Sequence, residues 1–118
     1  MLGDSISITV SGNAKVMKKI NQDSYSSEYL LREATGEFRL KIRHSTEKSQ
    51  IRGEVMDRHN VELTAVTYGV APDDGYSIIV STTLRNPQRI AATDVDALSD
   101  GLADWVKANA TLLAGWES

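Results

Sequence analysis

The chain has 118 residues and no cysteine. That single absence excludes disulfides, thiolate catalysis and cysteine-ligated zinc. Histidine occurs only at His44 and His59, too few for a histidine-rich metal site. These two are placed near opposite ends of two adjacent strands. Proline occurs only at Pro72 and Pro87, and each marks a place where a strand ladder stops. No apolar run approaches the roughly 20 residues that span a bilayer. No Lys or Arg precedes Lys15 and no long apolar stretch follows Met1, so no signal peptide is expected and the setting reads as cytosolic. Chemistry is equally sparse. The stretch "GVAPDDG" lacks the lysine and the spacing of a phosphate loop, and no serine-centred nucleophile elbow occurs. Asp73 and Asp74, beside Pro and Gly, read as a solvated turn. No catalytic residue, metal or cofactor is expected.

What is present describes one ordinary folded domain. Hydrophobic residues make up 41% and charged residues 25%, and the length supports a modest core. A single domain, 1–118, is expected, with a β-hairpin over 1–20, an antiparallel sheet over 26–85 and two helices over 93–117. The formal charge is -3 but it is unevenly spread. Residues 93–118 hold five acids and one base, while residues 38–58 hold six bases and three acids. An acidic tail therefore follows a basic middle.

Ile6, Ile8 and Val10 alternate with polar residues and predict a first strand, and "SGN" supplies a turn into a second over 14–20. "SSEYLLRE" predicts a weaker third strand. In "EFRLKIRH", Phe38, Leu40 and Ile42 alternate with Arg39, Lys41 and Arg43, so a fourth strand turns an apolar set inward and a basic set outward. "STEKS" reads as a polar loop, residues 50–58 as strand five, "RHN" as a tight connection, and "VELTAVTY" as strand six. After loop 69–75 comes a β-branched strand seven over 76–85. Val95, Leu98, Leu102, Trp105 and Val106 then follow helical spacing, with Thr93 as N-cap, Asp94 and Asp96 in the first turn, and Lys107 near the end. Asn109 is expected to cap a second short helix. Six or seven antiparallel strands followed by two helices give an α+β class.

One helix of about 15 residues, about 22 Å long, cannot cover a seven-stranded sheet roughly 30 Å wide. The positions left over include Phe38, Leu40, Ile42, Val55, Leu63, Ala65, Ile78 and Val80. A second copy bringing its own helices would cover them, so an obligate dimer is expected. On the opposite face, Arg39, Lys41 and Arg43 are joined by Arg52, Glu54, Met56 and Arg58, then by Glu62, Thr64, Val66 and Tyr68, then by Ser77, Ile79, Ser81, Thr83 and Arg85. This is either a solvated face or a polyanion surface.

An N-terminal hairpin, a meander, a loop before the last strand and a helical tail ending in "LLAGWES" together resemble the coat proteins of single-stranded RNA bacteriophages of the levivirus type. The resemblance covers nearly the whole chain and rests on length, element order and texture, with no short diagnostic motif. It implies an intertwined dimer with a ten-stranded sheet covered on one face by helices of both chains. Dimers would assemble into an icosahedral T=3 virion shell in the cytoplasm of a bacterial host. The other sheet face would look inward onto single-stranded genomic RNA and, in some members, bind a hairpin that represses replicase translation. The RNA-facing positions implied are Arg39, Lys41, Arg43, Arg52, Glu54, Met56, Ile79, Ser81 and Thr83. Some members stack a base on a tyrosine of the last strand; the matching position here is Ile79, which carries no ring. Gly69, Val70, Ala71, Pro72, Asp73, Asp74 and Gly75 would line the symmetry openings, without the disulfide rings of some relatives. Two rivals remain: a non-assembling dimeric RNA-binding protein, and a small dimeric ligand-binding or enzymatic domain.

Overall fold

The structure, a computed structural model, describes residues 2–48 and 53–116. Six antiparallel strands form one sheet in sequence order: β1 (Ser5–Val10), β2 (Asn13–Gln22), β3 (Ser26–Arg32), β4 (Gly36–Lys48), β5 (Val55–Thr67) and β6 (Tyr76–Pro87). One helix, α1 (Ala92–Ala114), follows. The strand-then-helix order of an α+β chain is therefore present.

Local chemistry explains the first hairpin. Ser11 and Gly12 both take positive φ, 51° and 80°, the backbone of a two-residue type I′ turn whose twist matches the flanking strands. Two other boundaries differ from those the sequence predicts. "STEKS" is not wholly a loop, because β4 runs on to Lys48. "RHN" is not a turn, because Arg58, His59 and Asn60 lie inside β5, paired with Ser45, His44 and Arg43 on one side and with Arg85, Leu84 and Thr83 on the other. The reason is that the triplet has no Gly or Pro to stop a ladder, and β4 and β6 supply backbone partners on both sides of it. Predicted strands five and six are thus one strand. The same register puts His44 directly opposite His59 instead of at the far end of a neighbouring strand.

The helical tail also differs. It is one helix of 23 residues, and Asn109 does not cap a second: its side-chain amide donates to the Trp105 carbonyl at 2.9 Å, within the same helix. Ala91, not Thr93, occupies the N-cap, and no side chain caps there. Asp94 falls in the first turn as expected, but no base falls in the last, since the helix continues well past Lys107.

The sheet curls so that the β1–β2 hairpin folds its apolar side onto β3–β5. Met17, Tyr29, Leu40 and Ile42 are buried, with Ile6, Ile8, Leu31, Phe38 and Leu63 packed around them. Lys15 lies over the Phe38 ring at 5.1 Å and reaches Glu33 at 3.1 Å, while the Tyr29 hydroxyl donates to the Gly3 carbonyl at 2.9 Å. Phe38, Leu40 and Ile42 are therefore covered within the protomer, contrary to the expectation that they await a partner. What remains open is the other half. Val55, Val61, Ile78 and Val80 are exposed, and α1, which meets the sheet along β6, has no buried residue.

Candidate nucleic-acid interface

Cross-strand pairing turns the parity of the sequence into a two-dimensional grid. On one face of the sheet, Leu30, Arg39, Thr64 and Ile79 lie in one row across β3 to β6, and Glu28, Lys41, Glu62 and Ser81 in the next. Ser26, Arg43, Asn60 and Thr83 form a third row, and Ser45, Arg58 and Arg85 a fourth. Met56 sits below them between Glu47 and Pro87. Arg39, Lys41, Arg43, Met56, Ile79, Ser81 and Thr83 therefore share one surface. Glu54 precedes β5, and its carboxylate accepts from Arg89 Nε at 3.3 Å, so it does not belong to the grid. Arg52 lies outside the described residues.

Helix α1 meets the sheet along its edge strand β6, and one hollow between them is lined by Asp94, Val95 and Leu98 of the helix and by Thr83, Leu84, Arg85 and Asn86 of the strand. Another hollow between α1 and the sheet is lined by Asp57, His59, Leu84 and Asn86, all of the other parity.

The bases are not bare. Arg39 lies 3.7 Å from Glu28 and 3.5 Å from Glu37, Lys41 lies 3.5 Å from Glu28, and Arg43 lies 3.8 Å from Glu62. Arg85 pairs with Glu47. These are partly exposed pairs, each worth little in high dielectric and easily exchanged for another anion. The face still has an excess of positive charge. Lys18, Arg32, Arg39, Lys41, Arg43, Arg58 and Arg85 are seven bases against the four acids Glu28, Glu37, Glu47 and Glu62. Lys18, Arg32, Arg58, Arg85 and Asn60 extend the surface beyond the residues singled out from the opening alternation; Arg85 and Arg58 were already legible by parity, whereas Lys18, Arg32 and Asn60 needed the pairing of β2, β3 and an unbroken β5. Asn60 is held in place, its amide donating to Thr83 Oγ1 at 2.9 Å.

The connection between β5 and β6 is narrow. Val70 and Asp73 form a bridge, with the Asp73 amide donating to the Val70 carbonyl at 2.7 Å. A side chain at Gly69 would meet Gly75 N at 2.7 Å, and one at Gly75 would collide with the Thr67 carbonyl. Both glycines are needed because the two stems of the loop cross at backbone distance.

Among the described residues no group of three or more His, Asp or Glu side chains is placed to hold a metal, and no helix is long and apolar enough to cross a membrane. The fold is that of phage coat proteins. The coat protein of bacteriophage EMS014 superposes with a TM-score of 0.63 at 24% identity, over 87% of this chain and 72% of that one. The virus-like particle of bacteriophage AVE019 gives 0.62 at 12% identity, over 90% and 86%. No curated protein matches. Residues 3–87 match the sequence profile described as phage phiCb5, coat protein, and the chain belongs to that family. It is a structural coat protein of the phage capsid, not an enzyme.

Proposed function

We propose that the protein pairs into an intertwined dimer with an extended common sheet, that dimers close into an icosahedral shell, and that the basic face holds single-stranded RNA inside it. The observation that carries the RNA reading is the grid: an excess of seven bases over four acids on one face of a chain whose overall charge is -3. Bases at alternate positions of β4 stand about 7 Å apart, close to the spacing of successive phosphates. Arg43 is 53% exposed in its side chain and has one carboxylate at 3.8 Å, so it is the most available of the three β4 bases. Ser81 and Thr83 add hydroxyls for sugar or base edges. Ile79 is exposed on the same face and offers no ring, which favours general phosphate contact over tyrosine-type hairpin recognition.

Dimer formation is supported by area. The protomer exposes 9028 Å², whereas a compact monomer of its mass should expose about 6,300 Å². Its radius of gyration is 16.9 Å, against about 13.5 Å for a compact domain of this length. The excess, about 2,700 Å² per protomer and so about 5,400 Å² for two, is at the upper end of obligate interfaces, which bury roughly 2,000–5,000 Å² or more in total. It lies on the exposed positions of α1 (Leu98, Leu102, Trp105, Val106) and on Val55, Val61, Ile78 and Val80 of the sheet. The partner's helix would lie over the second set. Loop 69–75 would sit at the symmetry openings of a T=3 shell assembled in the bacterial host.

The test is RNA content. Replacing Arg39, Lys41 and Arg43 together by Ser should leave the dimer folded, because those side chains point away from the core. Absorbance at 260 and 280 nm should show less RNA in purified particles, and the slope of log affinity against log salt should shrink by about 2, near 0.7 per lost single-strand contact. Equal RNA content and an equal slope would reduce the face to a solvated one.

A further inference from the structure

His44 and His59 are the only histidines of the chain, and neither takes part in the basic grid. The His44 amide donates to the Tyr25 carbonyl on the β3 side at 2.7 Å. It therefore points away from β5, which makes His44 and His59 a non-hydrogen-bonded pair, the type in which side chains come closest. Their rings meet edge to face with centroids 5.0 Å apart, and Nδ1 of one lies 2.8 Å from Nδ1 of the other. Without a bound ion, one Nδ1 must donate its proton to the other. With both rings carrying the proton on Nε2, two lone pairs are left facing the same 2.8 Å gap instead.

That separation has a specific meaning in coordination chemistry. Two imidazole nitrogens at about 2.0 Å from a metal and 90° apart lie about 2.8 Å from each other, whereas a tetrahedral angle would spread them to about 3.3 Å. A hollow of about 470 Å³ under α1 is lined by His59, though not by His44, and gives room for waters on the His59 side of the pair. Asp57 and Asp96 line it and favour a cation, and no base lines it. Toward His44 the neighbouring hollow is lined by Lys19 and Asp23; Lys19 is turned to Gln22 at 2.7 Å and lies 3.9 Å from Asp4. Arg43 and Arg58 approach His44 from the opposite face of the sheet.

We infer that His44 Nδ1 and His59 Nδ1 form a two-imidazole site for a tetragonal divalent transition metal, Cu²⁺ before Ni²⁺ and Zn²⁺, completed by water. The order follows from the near-right-angle geometry and from the general affinity series of these ions. Occupation would clamp β4 to β5 at the edge of the hollow under α1, a constraint independent of RNA.

The experiment uses the purified full chain, stripped with a chelator and titrated with CuCl₂. Pulsed electron paramagnetic resonance should show one Cu²⁺ per chain with the modulation of two bound imidazoles. Because the chain has only these two histidines and no cysteine, that signature identifies the pair. His44→Gln and His59→Gln should each lower the apparent affinity at least about tenfold, as even the loss of an outer-shell partner does. Both side chains are at the surface or partly so, and circular dichroism of each variant checks that it is folded. A wild-type spectrum with one imidazole or none overturns the site, whatever the variants do. So does copper binding that is unchanged in both variants. Neither result bears on RNA packaging, which is read separately from absorbance.

Discussion

The two halves of the protomer are built from similar residues and end in opposite states. In β1–β4, Met17, Tyr29, Leu40 and Ile42 are sealed beneath a hairpin that folds back on its own sheet. In β5, β6 and α1, residues just as apolar stand in the open: Ile78 is 56% exposed, Val80 59%, Leu98 81% and Trp105 54%. Burying such side chains is worth about 1.5–3 kcal/mol each. The contrast is that the first half completes its core within one chain, while the second half leaves its apolar residues uncovered, the layer that the proposed second copy would supply.

That contrast can be broken in a graded way. Trp105→Ala should have the largest effect, about 3–5 kcal/mol on unfolding of the dimer, and its effect on the midpoint should depend on protein concentration. Met17→Ala should cost about 2–5 kcal/mol, the cavity and transfer cost of a buried methionine, read as a lowered denaturation midpoint at constant slope. Comparing the two at several concentrations separates a core completed by a partner from one completed in the chain. Gly75→Ala should cost about 1–3 kcal/mol in thermal stability, because its new methyl meets the Thr67 carbonyl where the loop stems cross.

The smallest effect belongs to the closed half. Asp23 accepts from the amides of Tyr25 at 2.8 Å and Ser26 at 2.7 Å, and the Tyr25 amide bond is the main cause that holds its carboxyl below the usual value. The folded pKa is depressed, so the stabilisation is fully present above the unfolded value of about 3.9 and is lost as pH falls through the folded one. Asp23→Ala should therefore lower the melting temperature slightly at neutral pH, and the difference from wild type should vanish in strong acid.

Which parts of this were legible in the sequence follows from range. Strict alternation in "EFRLKIRH" and the β-branched run of β6 depend on local pattern, and both strands are where the pattern puts them. The facing of Arg39, Lys41 and Arg43 with Ile79, Ser81 and Thr83 also followed from parity, because pairing in register preserves it. The fusion of two predicted strands through Arg58, His59 and Asn60 was hidden, since polar residues in a row read as a turn until both neighbours supply ladder partners. The covering of Leu40 by Met17 was hidden for a related reason: curl of the sheet brings β2 over β4 and is set by long-range packing. Ion pairs such as Arg39 with Glu28 were invisible because they join different strands. Asn109 has the residue type of a cap, but its side chain bonds one turn back, inside the helix, which only the structure reveals.

The central claim is that the open half is finished by a second copy. Light scattering behind size exclusion, on protein freed of RNA and diluted to low micromolar, measures it most directly. The predicted result is that the smallest folded species has twice the chain mass of 12.9 kDa and that its unfolding shifts with concentration. A folded species of single-chain mass, with Trp105 exposed and a concentration-independent melting curve, would contradict it.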